Sequence, residues 1–149
     1  MIRIALTKSD KDDIIYVIIL DNKRLKVNKL VWVGKYNERF NKLLEINISQ
    51  KEIFMSQGLP VHLIKRNHNE CLKYIDRISE IIEHPDYIGV NPNEENASIE
   101  LVKIFDENVL LGIKVDLSTN SLYVSTMYSI HDSKLQRRLH SGRLVKFEE

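Results

Sequence analysis

The sequence has one cysteine, Cys71, so no disulfide can form within the chain and cysteine alone cannot build a thiolate zinc site. Five glycines and three prolines in 149 residues exclude collagen-like and linker-like architectures. Neither sign of charge dominates. There are 22 Lys plus Arg against 21 Asp plus Glu, a net charge of +1, which argues against a histone-like coat for nucleic acid but allows a local basic surface. The longest apolar run, Ile14 to Leu20, has the length of a strand and is far below a membrane span. The segment Met1 to Lys8 is no signal peptide, because its apolar stretch is short and charge follows at once. These features lead us to expect a cytoplasmic protein with no membrane partner. There is no internal repeat, P-loop, dinucleotide-binding glycine pattern, HExxH or nucleophile elbow.

What is present suits one soluble domain of ordinary size, with 43% apolar and 29% charged residues. Residues 2–6 and 14–20 read as strands, with Lys8 to Asp13 and Asp21-Asn22-Lys23 as turns and Leu30 to Val33 as a third strand. Phe40, Leu43, Leu44 and Ile46 suggest a short helix. Ser49 followed by Glu52 has capping-box spacing and predicts another. Gly58-Leu59-Pro60 punctuates the chain. It divides a β-rich N-terminal extension, 1–58, from a second segment, 59–149.

In the second segment, Cys71, Leu72, Ile75, Ile78 and Ile82 form one stripe of an amphipathic helix over about 68–83, with Asn67 or Asn69 as cap and Pro85 as its end. On this pattern Cys71 reads as a small buried residue rather than a nucleophile. Asp86 to Asn96 reads as a loop. Strands at about 98–105, 109–117 and 122–128 follow, joined by tight turns. Asp132 or Ser133 caps a short basic helix ending before Gly142. The fold class is therefore α+β: an antiparallel meander packed against a long helix, with a short basic C-terminal helix and a β-rich N-terminal extension.

The strand around 109–117 alternates cleanly. Val109, Leu111, Ile113, Val115 and Leu117 take one face; Leu110, Gly112, Lys114 and Asp116 take the other. On the next strand Leu122, Val124 and Thr126 share a face, opposite Tyr123, Ser125 and Met127. Pairing Leu117 with Leu122 sets Lys114 opposite Ser125 and Asp116 opposite Tyr123. One face becomes a core. The other presents Lys, Ser, Tyr and Asp around a glycine, as an open binding face would.

Two clusters could carry chemistry. The first is the acid-free run Lys134 to Phe147, where Lys134, Arg137, Arg138 and Ser141 share a helical face opposite Leu135 and Leu139, with Arg143 and Lys146 beyond. Such a face suits phosphate oxygens or, more plainly, solvent. The second is His62-Leu63-Ile64-Lys65-Arg66-Asn67-His68, where two histidines and two cations sit at the start of the long helix. Partial positive charge there would favour a phosphate and disfavour a charged imidazole. Six-residue spacing without a third ligand is a poor metal site, and no metal or cofactor is expected.

The run His62 to His68, the loop Pro85-Asp86-Tyr87-Ile88-Gly89-Val90-Asn91-Pro92, Ser98-Ile99-Glu100-Leu101-Val102-Lys103, Leu122 to Met127, and Ser133 to Arg138 with Ser141-Gly142-Arg143 occur in that order. Together they resemble the phage-associated nucleases of the barnase, EndoU, colicin E5/D and RelE-like group, over roughly residues 60–147. The resemblance implies a metal-independent ribonuclease with helices packed on an antiparallel sheet. It implies RNA as partner, and a cognate antitoxin or immunity protein as a second. Cleaving RNA without a metal needs a base for the 2′-OH, an acid for the 5′-oxygen and cations for the phosphorane. His62 or His68 could take a proton role. Lys65, Arg66, Lys114 and Arg137 could supply charge, and Ser125, Thr126 or Tyr123 could orient a phosphate. Lys134, Arg138 and Arg143 would bind RNA. The competing readings are an inactive RNA- or protein-binding module of the same fold, and an interaction or immunity protein recruiting partners through an unpaired strand edge at 14–20.

Overall fold

The computed structural model describes residues 3–8, 14–21 and 24–149, with side chains from Leu30 onward. Among the described residues, nine strands form one sheet: β1 (Arg3–Lys8), β2 (Ile14–Asp21), β3 (Arg24–Lys35), β4 (Glu52–Ser56), β5 (Tyr87–Val90), β6 (Ser98–Ile104), β7 (Asn108–Asp116), β8 (Ser121–Ile130) and β9 (Leu144–Lys146). Their order is β1-β2-β3-β4-β8-β7-β6-β5-β9. All neighbours are antiparallel except β4 and β8, which run parallel through two registered pairs, Ile53↔Leu122 and Phe54↔Tyr123. The helices are α1 (Arg39–Leu44), α2 (Leu59–Lys65), a 3-10 helix (Asn69–Arg77), α3 (Ile78–Glu83) and α4 (Asp132–Ser141). The fold is thus α+β on a mostly antiparallel open sheet. The turns placed at 9–13 and 22–23 lie outside the described residues.

The N-terminal strands are β1, β2 and β3 as expected, but β2 is paired on both sides and offers no free edge. The capping-box spacing at Ser49 misleads: residues 52–56 are strand β4, where Glu-Ile-Phe-Met-Ser supplies branched and aromatic residues that suit a pleated surface. Residues 86–96 are not all loop. Tyr87-Ile88-Gly89-Val90 forms β5, hidden in the sequence between Pro85 and Pro92. The sheet continues across Gly58, and the main core takes Phe40 and Ile53 from one side of it and Leu63, Ile82 and Leu111 from the other.

The expected long helix is in two parts, 3-10 and then α, and neither Asn67 nor Asn69 caps it; His68 holds the cap position. Asn67 has φ +58 and ends α2 instead. The His68 N–H donates to the Leu63 carbonyl at 2.8 Å and the Asn67 N–H to the Ile64 carbonyl at 3.2 Å, a Schellman termination with asparagine in the left-handed position. Part of the expected stripe is core: Cys71, Ile78 and Ile82, joined by Tyr74 and Ile81, pack with Leu111, Ile113, Leu122 and Val124, while Leu72 and Ile75 are only partly buried against them.

The β7–β8 register differs from the expected one. Lys114 faces Tyr123 and Asp116 faces Ser121, and a bulge between Gly112 and Ile113 leaves Ser125 without a direct partner. A two-residue shift keeps the faces; the bulge changes them. Beyond it Met127 enters the core in place of Thr126. Gly112 permits this, since a Cβ there would lie 3.0 Å from Thr126 Cγ2 and 3.1 Å from Ser125 Oγ.

On the opposite face, Leu110, Val102 and Ile130 pack with Leu135 of α4 and Leu144 of β9, with Leu139 against them. Neither Asp132 nor Ser133 caps α4. His131 holds the cap position, while Asp132 Oδ1 accepts a 2.7 Å hydrogen bond from Asn108 Nδ2 and ties α4 to β7. Gly142, at φ +84, ends α4 as the sequence predicts.

Candidate functional site

β8 runs on past its pairing with β4, and its exposed flank is met by α2 and the 3-10 helix. Ser129 marks the junction, its N–H and hydroxyl both donating to Glu70. This brings the turn after α2 over the polar face of the sheet. A cleft of about 340 Å³ results. Its floor is Ser98 and Glu100 of β6, Gly112 and Lys114 of β7, and Ser125, Thr126 and Tyr128 of β8; His62, Arg66 and His68 stand over it.

The local structure fixes these groups. His62 is one turn from the end of α2, and the Schellman turn sets the His68 backbone against the same helix. The His68 ring stacks on Tyr128, with centroids 5.2 Å apart and planes at 29°. Ser125 Oγ donates to the Gly112 carbonyl at 3.1 Å. Lys114 Nζ lies 3.2 Å from Glu94 Oε1 in a partly exposed pair, which binds weakly enough for an incoming anion to displace it. His62 and Lys65 occupy the last turn of α2 rather than a helix start. The local dipole therefore favours a cation there, the reverse of the sequence-based expectation.

One group of the floor has no role in the sequence analysis. Glu100 is 2% exposed. Arg143 grips it with both ends of its guanidinium, at 2.8 and 3.0 Å, and Arg138 Nη1 stands 3.6 Å away. Two guanidinium groups meet one carboxylate, so the corner keeps surplus positive charge. Arg138 Nη1 is buried with no hydrogen-bond partner among the described residues. Burial, and then the nearby Arg138, Arg143 and Arg137, push the Lys134 ammonium below the ordinary lysine range. The bidentate Glu100 contact raises Arg143 further.

Of the residues assigned catalytic roles from the sequence, His62, His68, Lys114 and Ser125 meet in the cleft, with Arg66 and Thr126 from the RNA-binding set. Lys65 and Arg137 are exposed and do not line it. Lys134, Arg138 and Arg143 gather near Glu100, and Tyr123 lines a different cleft. The sequence reading missed Glu100, Glu94 and Tyr128. A signal for Glu100 existed: an acid on an apolar strand, in a chain whose last helix has cations to spare. Among the described residues, no three His, Cys, Asp or Glu side chains gather as a metal-ligand set, and no helix is long and apolar enough to cross a membrane.

The geometry defines an α+β protein with a cationic cleft on one sheet face, flanked by two histidines. The chain belongs to the phage-Barnase-EndoU-ColicinE5/D-RelE like nuclease3 family, whose sequence model matches residues 31–137. The match begins well before residue 60, where the resemblance was first legible, and takes in α1 and β4. Membership implies a nucleic-acid substrate. No curated protein and no solved structure matches the chain.

Proposed function

We propose that this protein is a metal-independent endoribonuclease, toxin-like and associated with a phage or mobile element, that cleaves RNA by attack of the ribose 2′-OH. The convergence of His62, His68, Arg66 and Lys114 on one cleft, in a chain of this nuclease family, supports the reading. One histidine takes the 2′-OH proton as the 2′-oxygen bonds to phosphorus; the other gives a proton to the 5′-oxygen as the P–O5′ bond breaks. Lys114, Arg66 and the surplus charge at Glu100–Arg138–Arg143 offset the phosphorane's negative charge. Ser125 and Thr126 orient the phosphate. A cognate antitoxin or immunity protein would cover the same cleft.

The test is purified protein with total RNA in EDTA, followed by analysis of product ends. We expect 2′,3′-cyclic phosphate and 5′-OH termini. Cleavage that appears only with added divalent ions would overturn the proposal. RNA binding without cleavage would favour the inactive binding module.

A further inference from the structure

The molecule has a second, larger cleft, of about 760 Å³, at the β7–β8 turn. It lies beside the first on the same strands. Lys114 and Ser125 line the smaller cleft; Asp116, two residues further along β7, and Tyr123, the β8 partner of Lys114, line the larger. Two strand residues span about 7 Å. An RNA chain with its phosphate at Lys114 therefore carries a neighbouring nucleotide over the larger cleft.

The chemistry of the two clefts differs. No Lys, Arg or His lines the larger one among the described residues, and its one charge is the Asp116 carboxylate. A phosphate would be repelled there. The lining is instead amides and hydroxyls, such as Asn47, Ser49 and Gln50, beside two exposed apolar groups, Leu117 and Tyr123. Asp116 Oδ1 accepts the Ser118 N–H at 3.0 Å and the Ser118 hydroxyl, which fixes the carboxylate, and among the described residues no hydrogen bond reaches Oδ2. A flat apolar surface next to a fixed acceptor matches a nucleobase with an exocyclic amino group: the ring stacks and the amine donates.

We propose that the larger cleft is a nucleobase subsite, holding a base next to the scissile phosphate and preferring the amino-bearing bases to uracil. The proposal rests on the ribonuclease reading for its substrate. Tyr123 supplies the stacking face and Asp116 the acceptor, so the phosphate contact that the resemblance implies does not fall to Tyr123.

The test uses short 2′-O-methyl oligonucleotides, which cannot be cleaved through the 2′-oxygen, with cytosine, adenine, uracil or an abasic unit on either side of a central phosphate. The intact protein is expected to bind the cytosine and adenine forms about tenfold or more tighter than the abasic form, the scale of one base–aromatic stack. Tyr123→Ala should erase that difference and Tyr123→Phe keep it. Asp116→Asn should flatten the preference over uracil. Equal affinity for base-bearing and abasic forms, or discrimination that survives Tyr123→Ala, overturns the subsite. The same preparation is given the matching RNA. Base discrimination without cleavage overturns the ribonuclease reading and leaves the subsite standing. Cleavage without discrimination overturns the subsite alone, and a protein that neither binds nor cleaves overturns both.

Discussion

The two faces of the β6–β7–β8 sheet are built from the same strands and put to opposite uses. On one, Leu111, Ile113 and Val124 are closed over by α3 and the 3-10 helix. On the other, α4 covers Leu110 and Val102, while Gly112, Lys114, Ser125 and Thr126 stay open at a cleft. The covered face carries stability through apolar area. The open face carries charge, and it needs its own buried scaffold to hold that charge in place. Glu100 is where the two requirements meet.

The strongest challenge to this division is Glu100→Ala. It leaves Arg143 and Arg138 facing each other without their shared counter-charge, and loss of one partner in a buried pair costs about 3–5 kcal/mol. Chemical denaturation should show that loss, and a change within 0.5 kcal/mol would mean that the open face has no structural anchor. Next in size is Leu111→Ala on the covered face, expected to cost about 2–5 kcal/mol in the same measurement, because Leu111 is fully buried. Activity per folded molecule should persist.

His62→Ala and His68→Ala sharpen the contrast from the other side. Each is expected to lower RNA cleavage by about a hundredfold or more with little change in thermal midpoint. For His68, a parallel fall in midpoint would show that its stack on Tyr128 is packing and not chemistry. Arg137→Ala should be milder: one exposed cation lost, with the slope of log affinity against log salt shallower by about one. Arg138→Ala should behave differently from its neighbour, since Arg138 is buried against Glu100. Smallest of all is Cys71. Burial, then the Glu70 and Glu107 carboxylates, push its thiol up to about 12, so iodoacetamide at pH 8 should leave it unmodified until the protein unfolds.

Much of this division is legible in the residues. The alternation from Val109 to Val115 marks both faces, and the stripe from Cys71 to Ile82 marks what covers one of them. The His62–His68 run stands out by composition. What cannot be read is what depends on a partner strand. The bulge at Gly112 exists only in the pairing of β7 with β8, so nothing local to β8 shows that Met127 and not Thr126 turns inward. The split of the long helix falls between Arg77 and Ile78, where 3-10 gives way to α, and 3-10 and α segments share nearly the same apolar spacing. Lys65 and Arg137 look like their neighbours Arg66 and Arg138 in composition; only their place on the helix separates them.

The parallel junction of β4 with β8 has a mechanical consequence. Among the described residues, two registered backbone pairs join the β1–β4 half of the sheet to the β5–β9 half, which otherwise meet through the shared core. That seam is the cheapest line along which the sheet can part, and amide exchange should be fastest there among the central strands. The larger cleft straddles it, with Leu30 and Ser56 on one bank and Ser121 and Tyr123 on the other. Whatever fills that cleft acts as a rivet across the seam, so occupancy and the integrity of the whole sheet rise together.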